Sequence, residues 1–272
     1  MPDQSSFNLT APSTGPIECL GRTFPSDEAR REHYLKLLSE KLKDPGFRKI
    51  EGFPVGTDKA ILSLSDPPYY TACPNPWTGE FLKTHGQPYN PKKPYHREPF
   101  AADVSEGKNH PIYSAHSYHT KVPHRAIMRY ILHYTEPGQV VFDGFCGTGM
   151  TGIAAQLCGD KTEVQSLGYR VLDDGTILND EGKAFSQLGA RRAILNDLSP
   201  TATFISHNTD APIDADKFEE QCRAILKELE GENGWMFNTR HTDGTLQRIE
   251  FMIWSEVFSC PVKTSVEGHV SF

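Results

Sequence analysis

The sequence predicts an α/β fold with a doubly wound sheet, and three observations carry that prediction. Residues 140–151, VVFDGFCGTGMT, read as a strand, a tight glycine turn and the start of a helix. A further strand over 192–196 runs into Asn196-Asp197, so a second strand also ends on an acid. Helical spacing in the intervening and flanking segments supplies the alternation of strand and helix that such sheets need.

The elements follow in order. Residues 1–25 are rich in Ser, Thr and Pro and read as a flexible lead-in. A helix is predicted from Ser26, an N-cap, to about Lys43, with Tyr34, Leu37, Leu38 and Leu42 at helical spacing; Asp44-Pro45-Gly46 stops it. Residues 59–65, KAILSLS, read as a short strand running into Asp66-Pro67-Pro68-Tyr69. Residues 71–117 are Pro-, Tyr- and His-rich and read as a long loop. From Pro123 regularity returns: a helix over 124–134 with Ile127, Ile131 and Tyr134 on one face, a turn at Pro137-Gly138, a strand over 139–142, then the glycine turn and a helix from Met150 to Leu157. Residues 169–178 read as a hairpin turning at Asp173-Asp174-Gly175. Ser199-Pro200 pairs an N-cap with proline at the first helical position. Residues 214–230 read as an amphipathic helix whose stripe of Phe218, Cys222, Ile225, Leu226 and Leu229 is assigned to a core. Residues 248–257 alternate like a strand, paired through a turn at Thr242-Asp243-Gly244. We therefore divide the chain into a lead-in, 1–25, and one domain, 26–272, subdivided at 58–117, 118–210 and 211–272.

Composition sets outer limits. The 272 residues carry a formal charge of −7 and are 37% hydrophobic, a globular composition long enough for a substantial core. There is no apolar run of membrane-spanning length and no basic, then apolar, leader in the first twenty residues, so a cytoplasmic chain with reduced thiols is expected. The net charge conceals a division. Residues 83–129 hold eight Lys/Arg, three acids and six of the eleven histidines, a local charge of +5 against −12 elsewhere. Tyr89, Tyr95, Phe100, Tyr113 and Tyr118 interleave with these cations. Cations neutralise phosphates and aromatic faces stack on unpaired bases, although a solvated Pro-rich loop has the same composition.

The glycine turn has a chemical logic. Gly147 and Gly149 remove side chains where backbone approaches a ligand, and the following helix presents free N–H groups. Asp143 can accept from an amine or hydroxyl, and Asp197 can grip ribose hydroxyls, as in a doubly wound nucleotide site. Gly149 and Asp197 are 48 residues apart, against roughly 20 in a dinucleotide fingerprint; the hairpin at 169–178 accounts for the excess as an insertion. The Asp66-Pro67-Pro68-Tyr69 segment places a carboxylate beside a proline-bounded carbonyl, a pair able to accept from one exocyclic amine, with a tyrosine to stack on a base. The same Asp-Pro-Pro is also a good turn starter. His110, His116, His119 and His124 match no common metal-ligand spacing and read as solvated or DNA-facing. Cys146 reads as a small buried residue of the turn.

Together, DPPYY and FDGFCGTGMT resemble the S-adenosylmethionine-dependent DNA amino-methyltransferases, which act on adenine N6 or cytosine N4. The DPPY motif matches Asp66, Pro67, Pro68 and Tyr69, and the cofactor motif matches Asp143, Phe145, Gly147, Gly149 and Thr151. Gly144 and Met150 stand where the family often has Pro and Thr. HTKVPHRAIMRYILHY, residues 119–134, is similar to the Lys-Pro-plus-helix stretch near the methionine end of the ligand, which brings in Lys121, and NDLSP resembles the ribose-binding motif. The resemblance covers roughly 58–210. It implies a Rossmann-like methyltransferase fold with an irregular N-terminal region and a hairpin insertion. It also implies S-adenosylmethionine as cofactor, no metal, and double-stranded DNA with a flipped target base as partner. Asp66 and the Pro67 carbonyl would accept the target amine and Tyr69 would stack on the base, while Lys92, Lys93, Arg97 and Arg125 would contact DNA.

Two features depart from the family. DPPY precedes the glycine turn, as in a permuted class, but only 45 residues lie between Tyr70 and His116, short for a recognition domain. If the family's catalytic motif lies downstream, Asp66 is not the catalytic acid. FSCPVKT, residues 258–264, begins like half of a zinc ribbon, yet no cysteine follows Cys260, and the chain reads as a truncated member. An RNA amino-methyltransferase, a non-catalytic cofactor- or DNA-binding fragment and a nucleotide-dependent oxidoreductase are the alternatives; DPPY argues against the last.

Overall fold

The computed structural model describes residues 15–118 and 121–252, and the short strands 257–258 and 270–271. His119 of the Lys-Pro stretch, Cys260 and most of the 1–25 lead-in fall outside the described residues. The chain divides into two compact units, Met1–Pro212 and Ile213–Phe272.

The first unit opens with an antiparallel pair, β1 (Ile17–Cys19) and β2 (Arg22–Phe24), then α1 (Asp27–Lys41). Ser26 caps α1 by accepting from the Ala29 N–H at 3.2 Å. Next comes α2 (Asp58–Leu64). The strand expected over 59–65 is thus a helix. Thr57 caps it, Asp58 complements the dipole of its first turn, and Ile61 and Ser65, four apart, face inward at 3% and 1% exposure. Ser63, between them, is exposed, whereas a strand would bury it on the same face as Ile61 and Ser65. Tyr34, Leu38, Leu42, Phe47, Ile61 and Trp77 close a core around α1 and α2.

The expected long loop contains two helices, α3 (Thr78–His85) and α4 (Pro111–Ser114), and is otherwise irregular. Then α5 (His124–Tyr134), β3 (Val140–Asp143) and α6 (Met150–Leu157) fall close to their predicted bounds. They lead to α7 (Lys161–Ser166), to an antiparallel sheet of β4 (Arg170–Val171), β5 (Thr176–Leu178) and β6 (Ala184–Gln187), and to β7 (Arg192–Leu195) and α8 (Pro200–Asp210). The predicted hairpin is present and gains β6 as a third strand. Met128, Leu132, Ala154, Cys158, Val164 and Ile177 form the core between α5, α6, α7 and this sheet. Arg191, 3% exposed, ties the insertion back to α5 by donating to the Thr135 carbonyl (2.8 Å) and hydroxyl (3.1 Å) and to the Gln187 carbonyl (3.1 Å).

β3 and β7 pair in parallel, with Val140 opposite Arg192 and Asp143 opposite Leu195. Among the described residues this sheet has two strands, and the architecture is mixed α/β with helices and small sheets. The other strands of the unit pair antiparallel in sheets of their own, and Phe142 is left 70% exposed.

The second unit holds α9 (Ala215–Asn233), the hairpin β8 (Asn238–Arg240)–β9 (Leu246–Arg248), and the pair β10 (Val257–Phe258)–β11 (Val270–Ser271). Asp214 caps α9, accepting from the Lys217 N–H at 3.1 Å. The Phe218–Leu229 stripe is not core: Phe218, Ile225, Leu226 and Leu229 are 49–64% exposed, because a single helix and short, exposed hairpin strands offer little to bury it. The hairpin strand expected over 248–257 begins earlier, at Leu246, and ends at Arg248. No described helix is long and apolar enough to cross a membrane.

Candidate functional site

The site begins where β3 ends. Gly147 and Gly149 adopt left-handed φ of +52° and +85°, the conformation their residue type permits without strain. Asp143 holds the turn at both ends: Oδ1 accepts from the Phe145 N–H at 3.0 Å and Oδ2 from the Thr151 hydroxyl at 2.5 Å, joining strand to helix. Asp197, beyond β7, reaches the same turn, with Oδ2 accepting from the Gly147 N–H at 2.9 Å and Oδ1 from the Ser199 N–H at 2.9 Å. The 48-residue separation is therefore spanned by α6, α7 and the three-stranded insertion, and parallel pairing brings the two acids to one edge. Each carboxylate offers roughly four lone-pair sites, so both retain acceptor capacity towards a ligand.

The groups around the turn fit a nucleoside cofactor. Phe145 is 89% exposed, leaving an uncovered ring, and the buried Thr148 hydroxyl has no hydrogen-bond partner among the described residues. The Tyr118 ring lies 3.3 Å from the position a Cβ on Gly147 would occupy, so the turn faces an aromatic side chain that the motif did not name. Lys121 is directed elsewhere. Its ammonium donates to the carbonyls of Tyr113 and His116 and sits 4.5 Å from the Tyr113 ring centroid. Cys146 is buried, and burial followed by the charges of Asp197 and Asp143 pushes its thiol up to about 11, so it is no nucleophile.

Asp66 to Tyr70 form a tight loop closed by reciprocal backbone bonds of 2.9 Å between Asp66 and Tyr70, with a cis Pro67-Pro68 peptide. The two acceptors expected to meet a target amine already meet a cation. Arg30, 1% exposed, donates through Nη1 to Asp66 Oδ1 at 2.8 Å and to the Pro67 carbonyl at 2.6 Å. Its Nε and Nη2 hold Asp27, and its guanidinium lies 4.6 Å from the Tyr69 ring centroid. Burial opposes this charge, but the bonds to Asp66 and Asp27 outweigh burial and hold Arg30 above the usual arginine range. Nothing in the DPPY motif signals Arg30, which lies 36 residues upstream on another element.

Helix α8 touches both segments. Ser206 and Asp210 back the glycine turn, lying within 2.9 Å of where a Cβ on Gly149 would be. His207 stacks on Tyr70 at 4.7 Å and stands 4.0 Å from Asp66. Burial lowers the His207 pKa more than Asp66 raises it. Adjacent residues of one helix thus contact the two motifs.

Asp210 is pushed up to about 8 by burial, partly offset by its bond to Ser206. The folded protein therefore holds a proton there that the unfolded chain releases near pH 4, so stability falls as pH rises from about 4 to about 8. Asp210→Asn is expected to flatten that slope and to raise stability at pH 8.5 by an amount on the order of a few kcal/mol. Urea denaturation across pH checks this, and parallel slopes for both proteins would rule it out.

The basic window is partly consumed within the fold. Arg97 pairs with Glu136, Arg129 forks onto Glu106, and Arg125 donates to the Ser166 carbonyl at 2.6 Å. Lys92 and Lys93 are exposed, without ion pairs among the described residues. Of the histidines read as solvated or DNA-facing, His124 is fully buried and His110 largely so, since both sit where the loop closes on α5 and α7.

A parallel strand pair, β3 and β7, with a left-handed glycine turn between β3 and α6 held by Asp143 at the end of β3 and Asp197 beyond β7, defines the class of α/β domain. Residues 75–205 match the N6_N4_Mtase family model, described as DNA methylase, and this segment is a domain of the DNA amino-methyltransferase family. Comparison with curated proteins and with solved structures finds no match.

Proposed function

We propose that this protein is an S-adenosylmethionine-dependent DNA methyltransferase acting on the exocyclic amine of adenine or cytosine. The observation that carries the reading is the glycine turn clasped by Asp143 and Asp197 within the matched family segment. We read β3 and β7 as the centre of a doubly wound sheet. Asp143, Phe145, Gly147, Gly149, Thr151 and Asp197 would hold the cofactor, with Tyr118 covering the turn. When bound, the cofactor supplies an activated sulfonium methyl group. Lys92 and Lys93, and Arg97 and Arg125 if released from their internal partners, would neutralise phosphates of a duplex whose target base is flipped out. Asp66 and the Pro67 carbonyl would orient the target amine once Arg30 withdraws, a positioning effect that accounts for much of such catalysis.

A second reading has its own support. Arg30 satisfies both Asp66 and Pro67, and the family match begins at residue 75, after the DPPY segment. On that reading Asp66 is a structural clasp, and the chain binds cofactor or DNA without transferring a methyl group.

Calorimetry with S-adenosylmethionine, followed by transfer of labelled methyl to duplex DNA and to RNA, separates the readings. Binding with transfer to DNA that is lost in Asp66→Ala supports the first. Binding without transfer supports the second. Transfer confined to RNA changes the substrate class; absence of cofactor binding overturns the first reading, and absence of both cofactor binding and duplex binding in a gel-shift assay overturns the second.

A further inference from the structure

We propose a metal site, suited to Zn²⁺, formed by His110, His124 and Glu163. These residues come from three elements: His110 precedes α4, His124 opens α5 and Glu163 lies in α7. One donor atom from each falls within 4.8 Å of the other two. His124 is 0% exposed, and neither of its ring nitrogens has a hydrogen-bond partner among the described residues. The buried Oε2 of Glu163 is likewise without a partner. A buried imidazole with two unused nitrogens leaves a desolvation cost that a ligand would offset. Its ring packs edge-on against His110 at 4.6 Å, which brings both imidazoles beside the carboxylate.

The chemistry matches. Two imidazoles and one carboxylate make a three-ligand zinc set with a fourth position for water. Donor atoms around tetrahedral zinc lie about 3.3 Å apart, given Zn–N and Zn–O bonds near 2 Å, so the observed spacing closes with a shift of about 1.5 Å in flexible side chains. His110 now accepts a long bond of 3.3 Å from the Ile112 N–H through Nδ1, with Nε2 3.8 Å from Glu163. Metal at Nε2 moves the proton to Nδ1 and forfeits only that weak bond. Arg125 is the nearby cation, and its guanidinium is engaged by the Ser166 carbonyl. A bound metal would pin the loop ahead of α4 to α5 and α7, fixing the basic segment that carries Lys108 and Arg125.

The test uses the full chain, stripped with chelator and titrated with Zn²⁺ by calorimetry and with Co²⁺ by absorption. The expected result is one metal per chain, a Co²⁺ spectrum without a thiolate charge-transfer band, and a higher melting temperature with Zn²⁺. His110→Ala and Glu163→Gln, both partly exposed positions, are expected to lose at least about tenfold in affinity while keeping the circular dichroism of the parent. No binding, unchanged affinity in both folded variants, or a thiolate band would each overturn the assignment. Because Glu163→Gln is nearly isosteric, it keeps the test decisive if His110→Ala fails to fold.

Discussion

Gly149→Ala is expected to destabilise the first unit by roughly 2–5 kcal/mol, combining left-handed strain with overpacking. The backbone at Gly149 has φ +85°, which disfavours any side chain. The new Cβ would lie 2.4 Å from the Ser206 hydroxyl, 2.8 Å from Asp210 Oδ2 and 2.9 Å from the Ser206 Cβ. The hydroxyl can rotate away, but the Ser206 Cβ moves only with α8. Because α8 also carries His207 against Tyr70 and Asp66, the displacement spreads from the glycine turn to the DPPY loop. Gly168→Ala is the matched control: its φ is +90° but nothing lies within 4 Å, so only the left-handed cost of about 1–2 kcal/mol applies. Urea denaturation of the two variants separates strain from crowding. Equal losses would show that α8 yields freely. Cofactor affinity should fall in Gly149→Ala and not in Gly168→Ala.

Arg30→Ala is expected to cost about 2–4 kcal/mol, since removing one partner of a buried ion pair strands the other. Arg30 is 1% exposed and engages Asp27, Asp66 and the Pro67 carbonyl. Asp27 and Asp66 are 43% and 28% exposed, so water re-solvates part of each and the loss stays below that of a fully buried network. Loss of the guanidinium over Tyr69 adds a smaller amount. Arg30→Lys should recover part of the stability, because an ammonium can reach one or two acceptors but cannot fork across three. The same variants bear on function. If Asp66 and Pro67 orient a target amine, emptying them should raise methyl transfer per folded molecule, whereas unchanged or absent transfer marks the clasp as structural. Thermal melting gives the first effect and labelled transfer at a temperature where the variant is folded gives the second.

Local signals were easiest to read. The caps at Ser26 and Ser199, the glycine turn and the helix after it stand where spacing and residue type place them, because caps, left-handed glycines and apolar stripes act within one turn of chain. Sequence pattern and structure diverge where two local codes compete or burial depends on distant partners. KAILSLS satisfies a strand pattern, yet the Thr57 cap and Asp58 in the first turn start it as a helix. The Phe218–Leu229 stripe has a core-like period but no cover in its own unit.

By itself, then, the sequence determined the glycine turn, its two acids and the family they resemble, since these depend on residue type and short spacing. Tertiary structure alone decided what those acids touch. Parallel pairing of β3 with β7 carried Asp197 onto Gly147, and packing of α1 placed Arg30 in the acceptor pair of Asp66 and Pro67. It also gathered His110, His124 and Glu163, because such meetings depend on how helices close over a core, and no local pattern encodes them.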